Sequence, residues 1–324
     1  MKFHELDAHP EGGLPRTLDP HPPTSIPPPL STEPIIDADL LQVPAGVGSL
    51  HVERYGLGGE PVVLLPAFGT SAFLWRAVAP TLAEHGYMVY AIDPMGYGES
   101  DRPFEGDYAV AAQAEYVRAA LGSLRVDHAT VAGVEIGAGI ALRLALTSPE
   151  LVSTLVLINP VAFDEWPSDD VRHLQNATAR HAVRLARGVL GAAALLEPLL
   201  LRSVFDPDRM PPRLLARYLA PYTGTDGAVH LLDLARALHT EDLENPDLTR
   251  IRQRTVIVRG KEDHSLSPTI AARLHAGIPG SAMQTIPNAS RLLPEDAPDQ
   301  LTGLLLRVLG GERIEEDEVE WNES

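Results

Sequence analysis

Cysteine is absent from all 324 residues, which excludes disulfides, thiolate metal sites and a cysteine nucleophile. Positive charge is scarce: 26 lysines and arginines stand against 44 aspartates and glutamates, a formal charge of −18. Nucleic acid and anionic lipid both reward a basic face, so neither is an expected partner, whereas a basic protein surface is. No stretch reaches the roughly 18 uninterrupted apolar residues of a transmembrane segment. The longest oily run, Val189–Leu201, is interrupted by Gly191, Glu197 and Pro198 and reads as a buried or pocket-lining helix pair, or as a surface for a partner. The opening MKFHELDAHPEGG lacks the basic-then-apolar order of a signal peptide, so a cytoplasmic location is expected.

The 44% of apolar residues suffices for one large core or two modest ones. Residues 1–47 hold ten of the 29 prolines, including Pro27-Pro28-Pro29, without helical or strand periodicity. They are expected to form an extended arm, either solvated or strapped along this protein or a neighbour. From Gly48 the pattern changes: Ser49–Tyr55 alternates, and Pro61–Pro66 (PVVLLP) is fully apolar. Further apolar runs lie at Tyr87–Ile92, Ala129–Ala132, Thr154–Ile158, Thr255–Val258 and Ala282–Ile286, with helical patterns between most of them. Buried parallel strands read as continuous apolar runs, and their alternation with helices predicts a doubly wound, mostly parallel α/β sheet. The alternation breaks between Asn159-Pro160 and Arg254, where amphipathic helical patterns predict an inserted cap at 161–247 between core segments 48–160 and 248–310. Ser168 before Asp169 and Asp170 marks one cap helix start, and Pro211-Pro212 another. Residues 311–324 hold seven carboxylates against one arginine and read as a solvated acidic tail, with Trp321 as its one anchor.

Four segments carry the chemistry. Asp93-Pro94-Met95-Gly96-Tyr97-Gly98-Glu99-Ser100-Asp101-Arg102-Pro103 is a glycine-rich loop after a strand, without a phosphate-binding context. Gly133-Val134-Glu135-Ile136-Gly137 lies between an apolar strand and a helix, followed by the small pair Ala138-Gly139. Gly260-Lys261-Glu262-Asp263 and Pro287-Asn288-Ala289-Ser290-Arg291, the latter followed by Leu293-Pro294-Glu295-Asp296-Ala297-Pro298, come after later strands. Together they resemble the α/β-hydrolase fold superfamily across residues 48–309, nearest to the capped epoxide-hydrolase and haloalkane-dehalogenase branch, whose elbow reads G-x-D-x-G. The resemblance implies a nucleophile at Glu135, an orienting acid at Asp263, a histidine loop ending at Arg291 and an oxyanion loop at Pro66, Ala67 and Phe68.

Three of those four elements depart from the family pattern. Glu135 is one methylene longer than the branch's aspartate, and an error near 1 Å can be costly for attack. Arg291 stands where a histidine would be and stays protonated at any ordinary pH, so it is no base. Pro66-Ala67 replaces the His-Gly pair of the oxyanion loop. Only Asp263 is retained. Glu135 and Arg291 are therefore expected to neutralise one another, with Asp263 completing a structural ion-pair network in a degenerate triad.

The expected function is that of a pseudoenzyme, a catalytically inactive binding or structural subunit. Its arm, cap or acidic surface would engage a larger protein assembly, either soluble or on the extrinsic face of a membrane complex. The alternative is an enzyme: a small-molecule hydrolase of the epoxide or ester type, or a lyase or isomerase in which Glu135 is the acid/base and Arg291 binds a carboxylate or enolate. His264 is the histidine nearest the site in sequence and the candidate substitute base. Ile136, Phe68, Phe73, Trp75 and Trp166 are expected to line the old pocket or to pack as core. His173, His181, His230 and His239 lie in the cap, on helix surfaces or reaching inward. None forms a metal-binding set with acidic neighbours, so no cofactor is expected, while a small-molecule ligand stays open.

Overall fold

The computed structural model describes residues 37–176, 191–224 and 226–315. Its centre is an eight-stranded sheet in the order β1-β2-β4-β3-β5-β6-β7-β8. The strands are β1 (Asp39–Pro44), β2 (Ser49–Tyr55), β3 (Pro61–Leu65), β4 (Met88–Ile92), β5 (Ala129–Val134), β6 (Val152–Ile158), β7 (Arg254–Gly260) and β8 (Ala282–Ile286). The first two ladders, β1·β2 and β2·β4, are antiparallel, and the rest are parallel. Every residue of β5 is buried, because helices cover both faces of a parallel sheet. The register sets Val63 beside Val131 and Val131 beside Leu155, three branched apolar side chains in one row across the centre.

Residues 39–44 correct one expectation. The prolines of 1–47 read as an extended arm without strand periodicity, yet Asp39–Pro44 pairs in register with Arg54–Ser49. Val43 is buried and Leu41 partly so, an alternation too short to stand out among its neighbours. Pro44 sits at the strand's last position, where a missing N–H is tolerated. The remainder of the expected arm, residues 1–36, and of the acidic tail, from 316, lies outside the described residues.

Helices α1 (Ala79–Glu84), α2 (Val110–Leu124), α3 (Ile136–Thr147), α8 (Pro268–Gly277), α9 (Leu293–Asp296) and α10 (Pro298–Leu309) belong to the core. Between β6 and β7 lie α4 (Asp169–Gln175), α5 (Ala193–Arg202), α6 (Pro212–Leu219) and α7 (Gly227–Arg236), in the segment read as a cap. Ser168 precedes α4, but its hydroxyl makes no capping bond and is buried without a partner among the described residues. The oily run contributes α5, with Pro198 inside the helix, and Leu196, Leu199 and Leu200 are buried. No helix among the described residues is long and apolar enough to cross a membrane.

Helix α3 fixes the site. Ten of its twelve residues are buried, so it lies close against the sheet. A Cβ on Gly137 would lie 2.4 Å from the Leu65 carbonyl oxygen and 2.6 Å from that of Pro66, both backbone atoms that cannot give way. Glycine there lets the helix start directly above the end of β3 and brings Glu135 against the loop that follows it.

Candidate functional site

Glu135 joins β5 to α3 with φ 51° and ψ −111°. A non-glycine residue with positive φ and this ψ is outside the allowed basins for an L residue, and such strain persists only where the surroundings over-determine it. Here they do: the Glu135 N–H donates to the Ile158 carbonyl at 3.0 Å, and its carbonyl accepts from Gly139 N–H at 3.1 Å. The side chain is 1% exposed. One carboxylate oxygen, Oε2, accepts from the backbone N–H of Phe68 at 2.9 Å. The other, Oε1, faces Arg291 Nη1 at 3.6 Å and makes no hydrogen bond among the described residues. Burial pushes the Glu135 pKa up; the Arg291 charge and the Phe68 N–H oppose that rise without cancelling it, and the charges of Asp263 and Asp170 add to it.

Arg291 reaches Glu135 from the loop after β8 and is 6% exposed. Its Nη2 donates to Ser203 Oγ at the end of α5, so this guanidinium spans from the cap to the elbow. Its backbone is held by Asn159, whose Nδ2 donates to the carbonyls of Ser290 and Arg291 at 2.9 and 3.0 Å while its Oδ1 accepts from Gly260 N–H at 2.9 Å.

Asp263, at the end of β7, is buried as well, but its Oδ1 is taken by Ser265 N–H at 2.9 Å, Ser265 Oγ at 2.6 Å and Leu266 N–H at 3.3 Å. The expected three-membered network thus resolves into a Glu135–Arg291 pair and an aspartate that shapes its own turn; no Asp263–Arg291 ion pair occurs among the described residues. Pro66, Ala67 and Phe68 are buried, and Thr70 N–H closes the turn onto the Ala67 carbonyl at 3.1 Å. A Cβ on Gly69 would meet Leu196 Cδ1 of α5 at 2.5 Å, so α5 rests directly on this loop. Ile136 is buried at the first position of α3.

The other expected site residues scatter. Trp75 and Trp166 are fully buried, each with an indole N–H that has no acceptor among the described residues. Phe73 stacks edge-on with Tyr218 at 5.5 Å and under Arg76 at 4.3 Å, away from Glu135's bonding partners. His264 is exposed on the loop after Asp263, which does not suit it to replace a buried base. Among the cap histidines, His230 turns inward, with Nε2 2.7 Å from the Gly96 carbonyl, whereas His173 and His239 are exposed; His181 lies outside the described residues. The described residues contain no cluster of His, Asp and Glu able to hold a metal.

The frame is a strand–corner–helix with buried Glu135 at the corner, buried Asp263 on the loop after β7, and α4 to α7 between β6 and β7. The sequence profile of the alpha/beta hydrolase fold matches residues 60–298. The chain belongs to the alpha/beta hydrolase fold family. Within it, a haloalkane dehalogenase from Mycobacterium marinum is 33% identical over 176 residues, 53% of this chain and 55% of that protein. The chain therefore aligns with about half the length of that relative. An uncharacterized hydrolase of Bacillus subtilis, YugF, is 25% identical over 258 residues, 79% of this chain and 92% of its own. Among solved structures, the epoxide hydrolase CorEH superposes with a TM-score of 0.73 over 86% of this chain and 100% of its own, at 20% identity, a likeness of fold.

Three members of the site in this hydrolase-fold chain carried no usable signal in the sequence. Ser203 is one of several cap serines and threonines, and only the packing of α5 brings it to Arg291. Leu196 sits inside the oily run and could not be distinguished from its neighbours. Asn159 stood out only as a boundary before Pro160, although its left-handed φ of 41° marks a designed corner.

Proposed function

We propose that this hydrolase-fold protein is a non-catalytic member of its family, working as a binding or structural subunit of a larger assembly. The observation that carries the reading is the fate of the Glu135 carboxylate. A covalent mechanism on this fold needs a nucleophile presented to substrate and a free backbone donor for the oxyanion. Glu135 instead spends Oε2 on the Phe68 N–H, at 2.9 Å, and sets Oε1 against a permanently charged guanidinium. A group so paired is a poor nucleophile, and Arg291 beside it cannot remove a proton from water. The retained strain at Glu135 suits descent from a catalyst, since a corner once built around a nucleophile can outlast the chemistry.

A second reading has its own support in the raised pKa of Glu135, which is what a general acid or base of a hydrolase, lyase or isomerase requires. It is the weaker reading, because Arg291 stands against one oxygen of that carboxylate and the Phe68 N–H binds the other.

The test is purification from the native cell under mild conditions, with mass determination of the eluting species and the same measurement on Glu135→Gln. The subunit reading expects a stoichiometric complex that survives the substitution. A free monomer that turns over an ester, epoxide or haloalkane contradicts it.

A further inference from the structure

The short stretch 290–296, which in catalytic relatives would carry the histidine, gathers several of the cap's polar anchors among the described residues. Arg291 Nη2 donates to Ser203 Oγ, and the Leu292 N–H donates to the Ser203 carbonyl at 2.8 Å. The Asp296 carboxylate accepts from the Phe205 N–H at 2.9 and 3.0 Å, and the Asp296 carbonyl accepts from Arg209 Nη1. Glu295, 9% exposed, accepts from the hydroxyl of Tyr218 on α6 and, through both oxygens, from Arg76 of the core at 2.5 and 2.8 Å. Arg76 also reaches the Tyr218 hydroxyl at 3.3 Å. The loop itself is braced from beneath: Asn159 holds the carbonyls of Ser290 and Arg291, and Ser290 N–H donates to Asp296 at 2.7 Å.

We infer that segment 290–296 is a clasp that holds the cap half formed by α5 and α6 shut over Glu135, with the Arg76–Glu295–Tyr218 triplet as its principal fastening. The inference rests on the reading that this loop no longer supplies a base. A loop that must present a histidine to substrate needs a clear face toward the cap; one relieved of that task can spend every polar group on binding it. The triplet is suited to fastening: a bidentate guanidinium–carboxylate pair is directional, burial of Glu295 protects it from screening, and the Tyr218 hydroxyl brings the cap into the same bond network. Ring packing reinforces it, since Phe73 lies between the Arg76 and Arg217 guanidiniums at 4.3 and 5.0 Å and meets the Tyr218 ring at 5.5 Å. Elsewhere among the described residues the cap is tied by Arg102 to the Pro221 carbonyl, by His230 to the Gly96 carbonyl, by the exposed Arg273 to Asp164 and Glu165 and by the Thr269 hydroxyl to Glu165.

Hydrogen–deuterium exchange on the full chain tests this, comparing peptides of residues 193–219 with those of β5 and β6 (129–158). Glu295→Gln is expected to speed exchange in 193–219 at least tenfold while 129–158 keeps its rate, because local opening is then decoupled from global unfolding. Unchanged exchange in 193–219, or equal acceleration in both regions, overturns the clasp. Should Glu295→Gln fail to fold, Tyr218→Phe removes one hydroxyl and is expected to give a threefold or greater increase confined to 193–219, with the same outcomes counting against it. Arg273→Ala serves as the comparison on the other side; an equal acceleration of 193–219 there also overturns the assignment. No substrate enters the readout, so a failed clasp leaves the non-catalytic reading standing, and detected turnover leaves the clasp standing.

Discussion

Glu135 turns one carboxylate oxygen onto the backbone N–H of Phe68, 2.9 Å away, a donor in the loop expected from the sequence to hold an oxyanion. The corner residue and the loop after β3 are thereby joined by one hydrogen bond. The expected behaviour of the site follows from that bond and from the arginine on the other oxygen.

Arg291→Met removes the only cation paired with Glu135 among the described residues. A buried ion pair broken on one side costs about 3–5 kcal/mol, because the remaining charge is left desolvated. Glu135 can escape part of that by taking up a proton, so the loss in urea unfolding is expected to be larger at pH 8 than at pH 5. Adding Glu135→Gln to Arg291→Met is expected to abolish the pH dependence of the loss. A loss that is equal at both pH values contradicts the pairing.

Asp93 supplies a pH signature at a different place. Its carboxylate accepts from Ala72 N–H at 2.5 Å and Glu99 N–H at 2.8 Å, yet burial pushes its pKa up to about 7. An acid whose pKa is raised by folding binds more protons folded than unfolded, so its contribution is full below the unfolded value and is lost as pH rises toward 7. His51 and His230, whose pKa values are lowered by burial, act in the opposite sense below their ordinary value of 6.5. The clean measurement is therefore a difference: stability of wild type minus Asp93→Asn is expected to fall steadily from about pH 4 to about pH 7, and a flat difference counts against it.

Gly137→Ala places a methyl group within 2.4 Å of the Leu65 carbonyl oxygen. Neither the strand nor the helix can yield without moving the elbow. The expected cost is about 3 kcal/mol or more, read as a lower urea midpoint or as failure to accumulate folded protein. Gly303→Ala, on α10 where a Cβ meets nothing within 4 Å, is expected to be neutral or slightly stabilising.

Asn159→Ala strips three hydrogen bonds from the junction of β6, β7 and the 290–291 turn. Two carbonyls and one N–H are left buried without their partner, an expected loss of about 2–4 kcal/mol. If the side chain positions Arg291, the variant also raises hydrogen exchange at 290–296 beyond what its loss of stability accounts for.

Much of this molecule was legible in its residues. Continuous apolar runs such as Pro61–Pro66 and Ala129–Ala132 announce the buried parallel strands Pro61–Leu65 and Ala129–Val134, and the gap between Pro160 and Arg254 announces an insertion. The pairing of Glu135 with Arg291 followed from their opposite charge at facing motif positions. Strand β1 was hidden because two inward residues, Leu41 and Val43, are too few to outweigh the prolines before them. Asp263 makes no ion pair with Arg291 among the described residues for a local reason: Ser265 and Leu266 lie two and three residues on, close enough to bind its Oδ1. The clasp could not be read at all, since Arg76, Tyr218 and Glu295 come from three distant segments and acquire meaning only when the cap is in place.

The most direct test of the central claim is steady-state turnover of an epoxide, an aryl ester and a haloalkane by the wild-type protein and by Glu135→Gln, each against buffer alone. Both proteins are expected to match the buffer rate for all three compounds. Multiple turnovers by the wild type that are lost in Glu135→Gln would contradict it.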